Sequence, residues 1–325
     1  AASDVYKRQE SLPLEVLVER QHYRLAHWKV ADEELNYRRF FDVDTLAALR
    51  VEERDVFDST HALLLELFNA GYIDAFRVDH PDGLADPAGY FHWLSEATGG
   101  AWIAAEKILE DAERLPSDWP IAGTTGYDTS WRLTALQVDP RASLPLGTLM
   151  QTLTGDSPSS YPQMQREAKA QIIDTSLAAE VRRIGQLIWK ICQNDFRLRD
   201  YTFRSLVDCL RELIIEMPCY RAYVTVGNPA PALSREIVQA AAGRALRYLN
   251  PEHADTMAVV IALVLGDETG SAALKVSDPD RQEFLVRFQQ VCGAVMAKGV
   301  EDTTFYRWTH LLCLNEVCLL YTSDA

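Results

Sequence analysis

The chain has 325 residues, and its 47 acidic and 32 basic side chains give a formal net charge of −15. With 48% hydrophobic and 24% charged residues, its composition is that of a globular protein and excludes a disordered, collagen-like or low-complexity chain. The acidic excess argues against a nucleic-acid partner, since such proteins need a basic surface. No apolar run approaches the roughly 18 residues that a membrane-spanning helix needs, so we expect no membrane partner.

Both ends of the chain differ abruptly from the rest. Residues 4–9 (DVYKRQ) and 318–323 (CLLYTS) resemble the translated strands of a common transposon-type sequencing adapter. The alternative is a natural frayed terminus in which Lys7 and Arg8 are solvated charges. We expect residues 1–9 and 318–325 to be artefacts and residues 10–317 to be an internal fragment, so that native termini and any targeting signal are unseen.

The sequence predicts helices in the first part of the chain, over residues 34–70. Residues 34–50 carry an aromatic and basic cluster followed by a helix-like run. Residues 58–70 predict a helix with an apolar stripe, capped by Asp58 or Ser59 and followed by Gly71.

Short strands then alternate with helices. Residues 73–79 read as a strand, a turn-rich loop follows, and residues 88–97 read as a helix that Gly99 ends. Residues 102–106 read as the next strand. This alternation predicts parallel β/α units, which we assign to residues 10–139.

Residues 140–290 have a different character, because apolar side chains recur there every three or four positions. This spacing predicts amphipathic helices. The clearest examples are Ile173, Leu177, Val181, Ile184, Ile188 and Ile191, followed by Phe203, Leu206, Leu210 and Leu213. A strand-like run at residues 295–297 then predicts that the β/α scaffold resumes over residues 291–317. We therefore expect an α/β fold, an incomplete (β/α)8 barrel of the TIM type interrupted by a large all-helical insertion.

Charged side chains stand at the ends of the predicted strands, where barrel enzymes carry their catalytic groups. Arg77 and Asp79 share one face of their strand, since side chains alternate, and the arginine should keep the carboxylate ionised. Glu106 ends an apolar strand, where lost solvation favours the protonated form that a general acid needs. In neighbouring strands the two carboxyls can approach to roughly 5 Å, the separation in retaining glycosidases.

Each of these residues also has a structural interpretation. Arg77 with Asp79, and Glu106 with Lys107, could be ordinary ion pairs, and His80 could be a satisfied loop histidine. Glu301 and Asp302 could be capping acids at a helix start. Their occurrence together at successive strand ends favours a site.

The strings around these residues resemble those of the α-amylase superfamily. F-R-V-D-H around Asp79 is similar to the signature that carries the nucleophile, and A-E-K-I-L around Glu106 to that of the acid/base. The strings NYRRFFD (36–42), GTTGYD (123–128) and MAKGVEDTTFYR (296–307) are similar to the maltooligosyl trehalose synthase family. The long gap from Glu106 to Asp302 also fits this family, which carries a helical insertion there. The resemblance implies that the earlier strands, the last strand and a C-terminal β domain lie outside this chain.

The resemblance implies roles for individual residues. Asp79 would be the nucleophile, Glu106 the acid/base and Asp302 a third carboxylate that holds sugar hydroxyls, whereas the side chain of Glu301 should point elsewhere. Arg77 and His80 would support the nucleophile and the reacting glucose. Weaker candidates for sugar contacts are Asn36, Tyr37, Arg38, Arg39, Lys107, Thr125, Tyr127, Asp128 and Lys298.

The implied reaction converts the reducing-end α-1,4 linkage of a maltooligosaccharide or α-1,4-glucan into an α,α-1,1 linkage. We expect no cofactor and no metal, and a maltooligosyl trehalose trehalohydrolase as the functional partner. The alternatives are an amylase-type hydrolase and a non-catalytic glucan-binding or scaffold fragment. The cysteines form no C-x-x-C pair and are typical of reduced, buried thiols, so we expect a cytoplasmic protein.

Overall fold

The computed structural model describes residues 13–110, 113–155, 160–271 and 278–308. The expected artefacts at the two ends, and residues 309–317 of the segment in which the scaffold was expected to resume, lie outside these ranges.

Helices dominate the described residues, together with two small sheets. The first helices and strands are α1 (Leu14–Glu19), α2 (Ala31–Glu34), β1 (Arg39–Phe40), β2 (Val43–Ala47), α3 (Arg54–Asn69), β3 (Ala75–Val78), α4 (Pro87–Thr98), β4 (Trp102–Ala105) and β5 (Gly123–Thr124). They are followed by α5 (Tyr127–Ala135), α6 (Ser143–Thr154), α7 (Tyr161–Asp174), α8 (Ala178–Gln193), α9 (Phe203–Glu216), α10 (Ala232–Ala245), α11 (Ala254–Val264) and α12 (Pro279–Val295). A π-helix (Met296–Thr304) continues α12 and leads into α13 (Phe305–Arg307). None of the described helices is both long and apolar enough to span a membrane.

The larger sheet has three parallel strands in the order β3-β4-β5. Phe76 and Val78 are buried in a core with residues of α3 and α4, whereas Arg77, between them, is exposed on the other face. This confirms the predicted alternation, which separates the packing side of β3 from its open side. The parallel β/α arrangement is present in these strands, but the described residues do not close a barrel.

The start of the chain differs from the sequence prediction. Residues 43–47, predicted to belong to a helix-like run, form β2 and pair antiparallel with β1. The helix predicted from residue 58 begins at Arg54, and neither Asp58 nor Ser59 caps it. Val43 and Thr45 are β-branched and alternate with Asp44 and Leu46, a pattern that suits a strand better than a helix.

Residues 295–297 are helical, so the prediction of a strand there is wrong. Val295, Met296 and Ala297 are all buried, at 1%, 2% and 5% exposure, in the passage from α12 into the π-helix. A short run of apolar side chains is compatible with either a buried strand or a buried helix. The i−5 pattern of the π-helix is supported by hydroxyl bonds from Thr303 to the Lys298 carbonyl and from Thr304 to the Gly299 carbonyl, each 2.7 Å long.

Every regular element that the structure describes between residues 140 and 290 is helical. The apolar stripes of α8, α9, α11 and α12 form one continuous core. Cys192, Cys209, Cys219 and Cys292 are free and buried, and all four lie within that core.

Arg221, in the loop after α9, joins the helical region to the loop after β3. Its guanidinium is 2% exposed and donates hydrogen bonds to the carbonyls of Asp82, Leu84 and Ala85 and to the Gln289 side chain. A buried arginine with so many acceptors fixes the position of the helical region against the strand loop.

Replacing Arg221 with Met should lower the free energy of unfolding by about 3 kcal/mol or more, because several buried acceptors lose their donor. Urea-induced unfolding of the 325-residue chain measures this effect. Arg204, whose side chain is 92% exposed, provides the matched control, since Arg204→Met should leave stability nearly unchanged. Equal stability of the two variants would contradict the anchoring role of Arg221.

Candidate active site

The register of β3 and β4 places Asp79 beside Glu106. The strands pair Ala75 with Trp102 and Val78 with Ala105, a constant offset of 27 residues. The pairing extends past the strand ends, where the Glu106 amide donates to the Val78 carbonyl at 2.8 Å. The nucleophile and acid/base candidates therefore follow two adjacent parallel strands at the same edge of the sheet.

Arg77 bridges the two carboxyls. Its Nη1 lies 2.7 Å from Asp79 Oδ1 and its Nη2 lies 3.2 Å from Glu106 Oε1. The two carboxyls also interact with each other, and this interaction contributes to the shifts of both pKa values.

The environment shifts the pKa values of the two carboxyls in opposite directions. Burial alone would raise the pKa of Asp79, but the hydrogen bond from Glu106 and the Arg77 guanidinium outweigh it and lower that pKa. Burial, together with the hydrogen bond to Asp79, raises the pKa of Glu106 above its ordinary value. The two shifts have opposite signs: the lowered pKa favours a charged nucleophile at Asp79 and the raised pKa favours a proton donor at Glu106.

His80 shapes the loop that follows β3. It adopts a left-handed conformation with φ of 42°, and its backbone amide donates to Glu106 Oε2 at 3.0 Å. A non-glycine residue with positive φ stores strain, which is retained where the surroundings fix the position. The His80 ring packs against Phe40 and Phe41, with centroid distances of 5.5 and 4.4 Å.

A cavity of about 280 Å³ opens beside Glu106. It is lined by Phe40, Phe41, Val43, His80, Asp82, Glu106, Ile108, Tyr127, Tyr220, Ala297, Lys298, Glu301 and Asp302. Tyr127 donates its hydroxyl to Glu106 Oε1 at 3.2 Å. Asp79 lines a neighbouring cavity of about 350 Å³, and His80 borders both.

The π-helix supplies one wall of the first cavity. Asp302 is bound by Lys298, whose Nζ lies 2.7 Å from Asp302 Oδ2 and 3.1 Å from Asp42 Oδ1. Glu301 lines the same cavity and accepts a hydrogen bond from the Tyr220 hydroxyl. The expectation that Glu301 points elsewhere is therefore wrong, because both acids of the Glu-Asp pair reach the cavity.

Two predicted sugar contacts are structural instead. The Lys107 side chain is buried and binds Asp82 at 3.1 Å and Glu113 at 2.8 Å. Arg39 is buried against α8, where it binds Glu180 at 2.9 Å and also contacts Asp44. Lys107 and Arg39 were predicted to contact sugar, but the structure buries both side chains in ion pairs within the protein.

The other weak candidates lie around the cavities. Tyr37 and Arg38 line the cavity that contains Asp79, where Arg38 is held by the carbonyls of the Gly83 and Leu49 residues. Thr125 continues β5 beside β4 through its amide, at 2.9 Å from the Ala105 carbonyl, but it lines neither cavity.

Asn36 and Asp128 lie outside the lining of both cavities. Asn36 is exposed and lines neither cavity. Asp128 lies in the first turn of α5 and binds Thr124 at 2.5 Å, also outside the lining of both cavities. Their proposed sugar contacts receive no support from these positions.

Several lining residues were missed by the sequence prediction. Phe40 and Phe41, which line the cavity, belong to the string NYRRFFD, from which we selected only residues 36–39. Asp42 of the same string binds the lining residue Lys298. Tyr220 lies between predicted helices, where no spacing rule links it to the strand ends. The string offered a signal for the first group, whereas Tyr220 required the fold.

Known proteins match this chain over nearly its whole length. Two curated Mycobacterium tuberculosis proteins, provisionally named maltooligosyl trehalose synthase, are 35% identical over 300 residues, or 92% of this chain. The structure of maltooligosyltrehalose synthase from Arthrobacter ramosus matches 93% of this chain at 37% identity, with a TM-score of 0.76. The chain is homologous to the maltooligosyl trehalose synthases.

The homology with the synthases covers part of those proteins. The chain spans about 35% of the length of its curated relatives and 35% of the Arthrobacter ramosus synthase. A hypothetical synthase from Sulfolobus tokodaii, 25% identical with a TM-score of 0.69, matches 95% of this chain and 35% of its own. No protein-family model matches the chain.

The bridge from Arg77 can be tested by titration. In an Arg77→Met variant the pKa of Asp79 should rise by roughly one unit or more, because the nearest cation that stabilises its charge is gone. NMR of the ¹³C-labelled carboxyl measures this pKa directly. Arg50, whose side chain is 72% exposed and pairs with Glu52 and Glu53, gives the control variant Arg50→Met. An unchanged titration of Asp79 in both variants would refute the bridge.

Proposed function

We propose that the whole protein carrying this chain is a glucan-rearranging synthase, an isomerase that turns the reducing-end α-1,4 linkage of a maltooligosaccharide into an α,α-1,1 linkage. The observation that carries the proposal is the carboxyl pair at neighbouring strand ends, Asp79 with a lowered and Glu106 with a raised pKa. The homology with synthases over 92% of the chain supports the same reaction.

In the first step Glu106 gives its proton to the glycosidic oxygen, and the bond from that oxygen to the anomeric carbon breaks. The Asp79 carboxylate attacks the same carbon and forms a covalent glycosyl ester. Arg77 and Tyr127, both within 3.2 Å of Glu106 Oε1, orient the acid while the leaving glucose departs.

In the second step the released glucose turns and presents its anomeric hydroxyl to the ester. Glu106, now a carboxylate, takes the hydroxyl proton while the oxygen attacks the anomeric carbon and displaces Asp79. Esterification removes the negative charge of Asp79, one of the causes that raise the pKa of Glu106, so the same residue then acts as the base. Two inversions at one carbon retain the α configuration.

The released glucose must stay bound, and water must be kept from the ester. The helical region contributes to this, because Tyr220 and the π-helix form one wall of the cavity beside Glu106. Asp302 is proposed as the third carboxylate, which holds the hydroxyls of the distorted sugar. The product would suit a maltooligosyl trehalose trehalohydrolase as the next enzyme, in the cytoplasm that the buried free thiols favour.

A glucan hydrolase is the competing candidate, since the same carboxyl pair would serve it. A non-catalytic scaffold is less favoured, because Asp79, Glu106 and Asp302 are all present with their charged neighbours. Product analysis separates the two enzymes: a synthase removes reducing ends from maltopentaose, whereas a hydrolase creates them.

In a full-length synthase that carries these residues, Asp79→Asn and Glu106→Gln should each lower the rate by about 10²–10⁴ or more. Asp79→Asn removes the nucleophile's charge and Glu106→Gln the transferable proton. Both should still bind maltopentaose, since most cleft contacts remain. The measurement is the loss of reducing ends with time.

The neighbouring acids give an internal comparison in the same assay. Asp302→Asn should be severely impaired, because its contacts strengthen as the sugar ring distorts. Glu301→Gln should be mild at neutral pH. A dead Glu301→Gln with an active Asp302→Asn would reverse the assignment of the third carboxylate, and activity in both Asp79→Asn and Glu106→Gln would overturn the mechanism.

A further inference from the structure

Glu301 lines the cavity that Glu106 also lines, but it does not belong to the carboxyl pair of Asp79 and Glu106. It comes from the π-helix, whereas Glu106 follows β4, and both line the same space. Its Oε1 accepts a hydrogen bond from the Tyr220 hydroxyl. Among the described residues, no hydrogen bond reaches Glu301 Oε2, so this oxygen remains for a molecule in the cavity.

Glu301 is surrounded by groups of its own sign and by hydroxyls. Burial raises the pKa of Glu301 to about 8, and nearby acids add to the shift although the Tyr220 hydrogen bond opposes it. The titratable groups that face it are Tyr161 from α7, Glu106 and Glu110 after β4, Tyr220 after α9 and Asp302 on its own helix. No cation pairs with Glu301 among the described residues, because Lys298 is occupied by Asp302 and Asp42.

We infer that Glu301 bears a proton at neutral pH and donates a hydrogen bond from Oε2 to a hydroxyl of the released glucose, retaining it while it turns. This inference rests on the proposed function, in which the released glucose separates from the sugar bound to Asp79 but stays in the cavity. A neutral carboxyl can donate and accept at once, as a sugar hydroxyl can, and it adds no charge beside the Glu106 carboxylate. The cavity of about 280 Å³ has room for one sugar ring.

The pH dependence follows from the sign of the shift. Below about pH 8 Glu301 is protonated and donates; above it the carboxylate loses the donor and repels Glu106. The fraction of glucose that escapes, relative to the product with the α,α-1,1 linkage, should therefore rise as pH passes through 8. Both outcomes follow the same cleavage step, so the ratio of escaped glucose to α,α-1,1-linked product does not depend on the rate of cleavage. The effect of pH on Glu106 as the acid of that step therefore does not enter the ratio.

The test uses a full-length synthase carrying these residues and measures free glucose against α,α-1,1-linked product at pH 6.5 and pH 9. The wild type should release roughly threefold to tenfold more glucose at the higher pH, the effect of one lost hydrogen bond. Glu301→Gln should release a constant low fraction, because the amide is a donor at every pH. Glu301→Ala should release the high fraction at both values.

Two further variants separate the role of Glu301 from general disturbance. Tyr220→Phe removes a hydrogen bond that lowers the pKa of Glu301, so the midpoint of the rise should move to higher pH. Glu283, an exposed acid of α12, gives the matched control, and Glu283→Gln should follow the wild type. A wild-type rise in Glu301→Gln would overturn the inference, since another group would then be titrating.

Glucose affinity, measured by calorimetry at the same two pH values, distinguishes failure of this inference from failure of the proposed function. Weaker binding at pH 9 in the wild type but not in Glu301→Gln supports the role of Glu301, even if the only reaction found is hydrolysis. Equal wild-type affinity at both values would refute the role of Glu301, whatever the products are.

Discussion

The buried carboxylate of Asp82 holds the strand ends and the helical region together. Lys107, at the end of β4, lies 3.1 Å from it, and Tyr223 from the helical region donates its hydroxyl to it. Burial alone would raise the pKa of Asp82, but Lys107 and the Tyr223 hydrogen bond lower it, so the charge is retained. Arg221 binds the backbone of the same loop. The loop that follows Asp79 is thus fixed from two sides.

This fixed loop explains how the candidate pair of Asp79 and Glu106 is oriented. His80 precedes the anchored turn and is held in a strained conformation that directs its amide to Glu106. Because β3 and β4 pair in parallel register, Arg77 reaches both carboxyls from one side. The helical region therefore contributes to the site through the position of this loop, whose His80 amide donates to Glu106.

Much of the local chemistry was predictable from the sequence, because strand alternation and strand-end position depend on short-range geometry. These rules predicted that Arg77 and Asp79 share one face of their strand and that Asp79 lies near Glu106. Residue roles that depend on long-range packing were not predictable: the burial of Lys107 and the reach of Tyr220 into the cavity arise from the docking of the helical region. The helical state of residues 295–297 was missed because a short buried run carries no period.

The central claim is that the Asp79 carboxylate is the nucleophile that forms the covalent glycosyl ester. The most direct measurement is mass spectrometry of peptides from a full-length synthase carrying these residues, after reaction with a 5-fluoro-α-glucosyl fluoride that accumulates the glycosyl ester. The account predicts a glycosyl label on the peptide that contains Asp79. A label on the peptide that contains Glu301 and Asp302, or on that of Glu106, would contradict it.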